Sequence, residues 1–206
     1  MPVWTISAEL GTCGDQVAAE LAAAAGVPLL DRSQLDSLAR RSEPGVTDVD
    51  ALEMRFGGGL GAVALSLAMI AGSTYAYYEL QMRSALPKLG TAVLAEAARS
   101  SCVILAPGAF AALADHPSAL HVRLRAPLEC RVAAYQREHV VGRHVAEREV
   151  KQDDRLKRGW VRTLYHVDLD DPSRFAMVVD VSRLPRCRVI ELLLAAGGVE
   201  QPVVAR

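Results

Sequence analysis

Five basic residues, Arg148, Lys151, Arg155, Arg158 and Arg162, follow one another at spacings of three, four, three and four. On a helix this spacing places all five on one face. They belong to a stretch, 123–162, that carries 11 of the chain's 23 lysines and arginines. Guanidinium groups grip phosphate oxygens as bidentate forks, so a cationic face only partly matched by acids suits a polyphosphate. Acids do lie within reach: Glu147 of Lys151, Asp153 of Lys157 and Asp154 of Arg158, each at i,i+4. With those pairs made, the same residues describe a solvated, salt-bridged helix face. The spacing leaves both readings open.

A second set stands near the amino end: Gly11, Thr12, Cys13, Gly14, Asp15 and Gln16, between the apolar run VWTIS and an alanine-rich run. A strand, a glycine-containing turn and a helix together present free backbone N–H groups at a helix N-terminus, where phosphate binds. Gly11 and Gly14 permit close backbone approach. Against the pattern GxxxxGK[ST], Glu9 stands at the first glycine, Asp15 at the lysine and Gln16 at the hydroxyl. An aspartate in the first turn is also what an ordinary helix N-terminus selects.

The elements that would position these sets alternate. Short apolar runs at Val3–Ser7, Val27–Leu30, Val103–Ala106, Leu120–Leu124 and Met177–Val181 read as strands. Helical patterns cover Gln16–Ala25, Ala85–Arg99, Leu128–Glu138, Glu147–Tyr165 and Cys187–Ala196, and Pro44–Gly45 and Asp171–Pro172 mark loops. Strands separated by helices predict a parallel sheet covered on both faces. At 206 residues and 51% hydrophobic composition, one well-cored domain is expected. The net charge of −1 argues against a nucleic-acid partner. Isolated cysteines (Cys13, Cys102, Cys130, Cys187) and no evident leader fit a cytoplasmic setting, and the five histidines form no zinc pattern.

The stretch 56–78, FGGGLGAVALSLAMIAGSTYAYY, contains no charge. Its length suits a bilayer span, but it is mostly small residues and lacks a basic flank. It reads as a buried or homodimer-facing helix, with no membrane expected.

Three stretches together, TISAELGTCGDQVAAELAAAAGVPLLDR, AARSSCVILAPGAFAALADHPSALHVRLRAPLECRV and DDRLKRGWVRTLYHVDLDDPSRFAMVVDVSRLP, resemble in order and spacing the cytidylate kinase-like family of P-loop nucleoside monophosphate kinases. The resemblance implies an α/β fold: a doubly wound, parallel five-stranded sheet with a helical insertion over 43–84 and an arginine-rich lid over 131–165. It implies use of ATP and Mg²⁺ and phosphoryl transfer to a nucleoside monophosphate such as CMP or dCMP. By that resemblance Gly11, Thr12, Cys13, Gly14, Asp15 and Gln16 wrap the ATP phosphates. Asp31 attends the metal-bound water or the acceptor, and Arg155 and Arg158 act at the transferring group. Arg32, Arg131, Arg137, Arg148, Lys151 and Arg162 are the further substrate and lid contacts. The chain departs from the family at Asp15 and Gln16, at Ala106-Pro107 in place of Gly-Arg, and at Ala176 in place of an aspartate. These departures raise an alternative, the same fold kept as an inactive pseudokinase that senses nucleotide or serves as a dimeric interaction module. A phosphotransferase acting on another small phosphorylated acceptor is a third reading.

Overall fold

The computed structural model describes residues 2–31, 34 and 97–199. The uncharged stretch 56–78, Arg32, Pro44–Gly45 and most of the expected helix Ala85–Arg99 lie outside them. Elements are numbered over the described residues. Five strands, β1 (Val3–Ala8), β2 (Leu29–Leu30), β3 (Cys102–Leu105), β4 (Ala119–Arg125) and β5 (Met177–Asp180), form one sheet in the order β2-β3-β1-β4-β5. Every pairing is parallel, with Thr5 opposite both Ile104 and His121. The helices are α1 (Gly14–Ala25), α2 (Ala109–Ala112), α3 (Leu128–His139), α4 (Arg143–Tyr165) and α5 (Arg186–Ala196). The chain winds to one side of β1 and then crosses to the other. The carboxyl end of β1 therefore opens on the crevice where ligands bind in such sheets.

Side chains along a strand alternate between faces. Trp4 and Ile6 of β1 join Val122 and Leu124 of β4 in one apolar layer, covered by Val17, Leu21, Val189 and Leu193 of α1 and α5. Full burial of each such side chain stabilises the fold by about 1.5–3 kcal/mol. The indole N–H of Trp4 donates to the Leu193 carbonyl at 2.9 Å, so this core loses no donor. On α1 the buried positions Gly14, Val17, Ala18, Leu21 and Ala22 trace one helical stripe. Gly26, at φ +65°, ends the helix, and the N–H groups of Gly26 and Val27 close on the carbonyls of Ala23 and Ala22.

The opposite face of the sheet is polar where it approaches the crevice. Val3, Cys102 and Ile104 pack with Ala109 and Leu113, but Thr5, Ser7 and Arg123 are buried on that side too. Thr5 Oγ1 and His121 Nδ1 are 2.8 Å apart, and the Ser7 hydroxyl donates to the Pro107 carbonyl at 3.1 Å. Phe110, Val161 and Leu169 fill the space between α2, α4 and the chain leading to β5. Among the described residues, no helix is long and apolar enough to cross a membrane.

Burial lowers the His121 pKa below the ordinary 6.5, and neighbouring His116 adds to the effect. A folded-state pKa below the unfolded one means that the unfolded chain binds the proton more readily. Stability from this group is complete above pH 6.5 and is lost as pH falls below that value. Thermal midpoints at about pH 7.5 and about pH 5.5 are expected to differ less for His121→Gln than for the wild type. Equal differences would remove His121 as the cause.

Candidate functional site

The turn after β1 is the first component. Thr12 donates from both its N–H (3.2 Å) and its hydroxyl (2.6 Å) to the Glu9 carbonyl, closing a four-residue turn. Gly11 stands third in that turn at φ +85°, a conformation that glycine adopts without penalty. A Cβ on Gly11 would lie 2.5 Å from the Arg131 carbonyl oxygen, so the turn packs directly on the first turns of α3. A Cβ on Gly14 would lie 2.3 Å from the Ala8 Cβ, so the end of the turn rests on its beginning. Cys13 precedes α1 in the left-handed region, at φ 55°, and provides no side-chain cap. Among the described residues, no acceptor meets the N–H groups of Cys13, Gly14, Asp15 and Gln16. Four amides at a helix N-terminus thus remain available to an anion.

Asp15 is exposed and makes no hydrogen bond or ion pair with any described residue. Gln16 is turned to α5, where its amide oxygen accepts from Arg186, and Arg186 Nε also meets Glu20 at 2.7 Å. The side chain at the position of the expected metal-binding hydroxyl is therefore already engaged. Among the described residues no three His, Cys, Asp or Glu converge as metal ligands. Among the described residues there is thus no all-protein cage for a metal, and a Mg²⁺ would arrive on the nucleotide phosphates.

The second component is a network of buried charge. The Glu9 carboxylate has 3% of its side chain exposed, and three arginines surround it. Its Oε1 lies 3.6 Å from Arg123 Nη2 and 3.3 Å from Arg125 Nε, and its Oε2 lies 3.3 Å from Arg131 Nε and accepts from the Ala126 N–H at 3.2 Å. Arg131 forks onto Asp154 of α4 with two bonds of 3.0 and 2.9 Å. Arg123 donates to Asp170 at 3.2 Å, and Arg158 Nε meets the other oxygen of Asp170 at 2.5 Å. Burial lowers the Arg123 pKa from its ordinary value, while Glu9 and Asp170 pull it upward. Two of its nitrogens, Nε and Nη1, are buried with no hydrogen-bond partner.

Of the residues expected from sequence, Arg131 and Arg158 join this network. The continuous helix α4 does place Arg148, Lys151, Arg155, Arg158 and Arg162 on one exposed side. Arg148 pairs with Glu149 and Lys151 with Glu147, whereas Arg155 and Arg162 make no bond among the described residues. The i,i+4 pairs Glu147–Lys151 and Asp153–Lys157 form. Asp154–Arg158 does not: Asp154 takes the Arg131 fork, and Arg158 turns to Asp170. Arg137 is exposed on α3. Asp31 leaves the carboxyl end of β2, on the same sheet edge as the turn with β3 between, and its Oδ1 accepts from the Gln34 N–H at 3.2 Å.

Sequence reasoning missed Glu9 as a charged hub, together with Arg123, Arg125 and Asp170. It also left aside Lys157, whose ammonium donates to the Ala8 carbonyl at 3.0 Å. The available signal was the buried stripe of α4, where Ala146, Val150 and Asp153 recur at helical spacing and lead to position 157.

Solved structures share the fold. An uncharacterized protein from Eubacterium ventriosum superposes with a TM-score of 0.70 at 15% identity, over 97% of this chain and 99% of that one. TT1252 from Thermus thermophilus gives 0.54 at 20% identity, over 95% of each chain. A shikimate kinase from Bacteroides thetaiotaomicron gives 0.52 at 13% identity, over 95% and 97%. No protein of curated function matches the sequence at a significant level. A family model, described as the cytidylate kinase-like family, matches residues 3–183. With its all-parallel five-stranded sheet, its glycine turn at the carboxyl end of β1 and that match along most of its length, the chain belongs to the cytidylate kinase-like family.

Proposed function

We propose that this protein binds the phosphates of ATP at the β1–α1 turn and transfers a phosphoryl group to a nucleoside monophosphate of the CMP or dCMP kind. The observation that carries the reading is the run of four amides, Cys13 to Gln16, at the N-terminus of α1 that have no acceptor among the described residues. A family of nucleotide kinase type provides the chemical class. Phosphoryl transfer asks a protein chiefly for positioning and for offsetting negative charge. The amides serve the bound phosphates, and the guanidiniums of Arg155 and Arg162, exposed and unbonded among the described residues, are at hand on α4.

A second reading, nucleotide binding without turnover, is favoured by one specific feature. Arg131 already spends its fork on Asp154, and Arg158 gives its Nε to Asp170. Arg131 must exchange that carboxylate for a phosphate oxygen before it acts on a substrate, whereas Arg158 keeps its two Nη groups unbonded among the described residues. Asp15 adds an anion beside the turn.

Calorimetric titration with ATP, ADP, CMP and dCMP, with and without Mg²⁺, tests binding, and a coupled assay for released ADP tests turnover. The expected result is Mg²⁺-dependent affinity for ATP and release of ADP only when CMP or dCMP is present. Binding without ADP release selects the second reading. No heat with any nucleotide, from folded protein, overturns both.

A further inference from the structure

We propose that Lys157 is the phosphate-binding cation of the β1–α1 turn, supplied from α4 in place of the lysine that position 15 lacks. The assignment rests on the phosphate-site reading above. Among the described lysines and arginines, Lys157 alone donates to the backbone of the segment from Ala8 to Gln16, through its 3.0 Å bond to the Ala8 carbonyl. Ala8 is the neck of the turn, because the chain leaves β1 there and Gly14 returns to pack against it.

The ammonium is held in place. Lys157 has 15% of its side chain exposed, and its Nζ lies 2.8 Å from Oδ2 of Asp153, itself 7% exposed. Burial raises the Asp153 pKa, and the adjacent Lys157 charge opposes that rise. An ammonium has three donors; the Ala8 carbonyl takes one, and Asp153 Oδ2 meets the charge as an ion pair without hydrogen-bond geometry. Donors therefore remain for a phosphate oxygen without release of the Ala8 anchor.

The competing cations are committed or unanchored. Arg123, Arg125 and Arg131 face the Glu9 carboxylate, Arg158 faces Asp170, and Arg186 bonds Gln16 and Glu20. Arg155 and Arg162 are exposed and, among the described residues, make no bond that fixes them toward the turn. At the usual lysine position the chain carries Asp15. A phosphate in the turn would meet that anion unless a cation arrived from elsewhere. The inward stripe of α4 delivers one.

The test is calorimetric titration of the full chain with inorganic triphosphate, which carries no base or ribose. Lys157→Met alone would strand the Asp153 carboxylate in the interior, so Asp153→Asn accompanies it. The double variant is expected to bind triphosphate about ten- to hundredfold more weakly than the wild type, the range for one charge-assisted hydrogen bond. Adding Asp15→Lys is expected to restore most of the loss. A purely structural role for Lys157 would lower the thermal midpoint. Asp15→Lys would then tighten binding by the same factor in the wild type as in the double variant, whereas a cation replaced in the turn gains more in the double variant. Equal affinity in wild type and double variant, or no recovery in the triple variant, overturns the assignment and leaves the phosphate site standing. No binding by the wild type overturns the phosphate-site reading, and this assignment with it.

Discussion

Replacing Gly11 with alanine is expected to destabilise the fold by about 4 kcal/mol, combining a left-handed backbone with a core overlap. For a chain of this size that corresponds to a fall of about 8–16 °C in the thermal midpoint. Two causes act together. At φ +85° an alanine Cβ crowds its own carbonyl, and that same Cβ would lie 2.5 Å from the Arg131 carbonyl oxygen. The obstacle is backbone in a helix, not the end of a flexible side chain, so relief requires the turn to lift from α3. Gly26 is the natural control: its φ is +65°, yet nothing lies within 4 Å of the added carbon. Gly26→Ala should cost only the backbone component, about 1–2 kcal/mol. Differential scanning calorimetry of both variants separates the two causes. Similar losses for Gly11→Ala and Gly26→Ala would refute close packing of the turn on α3.

Neutralising Glu9 is expected to have an effect of similar size from a different origin. Removing one partner of a buried charge cluster costs about 3 kcal/mol, because the remaining charges stay buried without their counter-ion. Glu9→Gln keeps the volume and an acceptor for the Ala126 N–H, so it isolates the charge. A fall of about 6–12 °C in the midpoint is expected for this variant. The exposure of the partners sets which arginine suffers most. Arg125 has half of its side chain in water, while Arg123 and Arg131 are at 5% and 7%. Arg131 retains its fork to Asp154, so the burden falls on Arg123, which already has two unpartnered nitrogens. An unchanged midpoint in Glu9→Gln would mean that Asp154 and Asp170 alone balance the cluster.

The sheet was legible because its strands are short apolar runs bounded by turn residues, and all five expected strands form. The second is shorter than its run suggests. Val27 spends its N–H closing α1 on Ala22, and Pro28 has none to give, so pairing begins at Leu29. Helix α4 starts at Arg143, behind Gly142 and ahead of the amphipathic pattern that begins near Glu147. Helix α2 is a single turn, too short for periodicity to reveal. The glycine turn was legible from local signals alone. The charge network was not, since it joins residues far apart in sequence, such as Glu9 with Arg125. Along one helix, Asp154 and Arg158 have the spacing to pair. The planar fork of Arg131 reaches Asp154 from another helix with two bonds, and a bidentate contact prevails over one flexible pair.

The central position of β1 has a consequence for how the molecule is made. Its neighbours are β3, beginning at Cys102, and β4, ending at Arg125. Synthesis proceeds at about 5–20 residues per second, so roughly 5–20 s separate emergence of β1 from that of its partners. Throughout that interval Trp4 and Ile6, destined to be fully enclosed, have no sheet to join. Until then the nascent chain carries two large apolar side chains that only the finished sheet encloses.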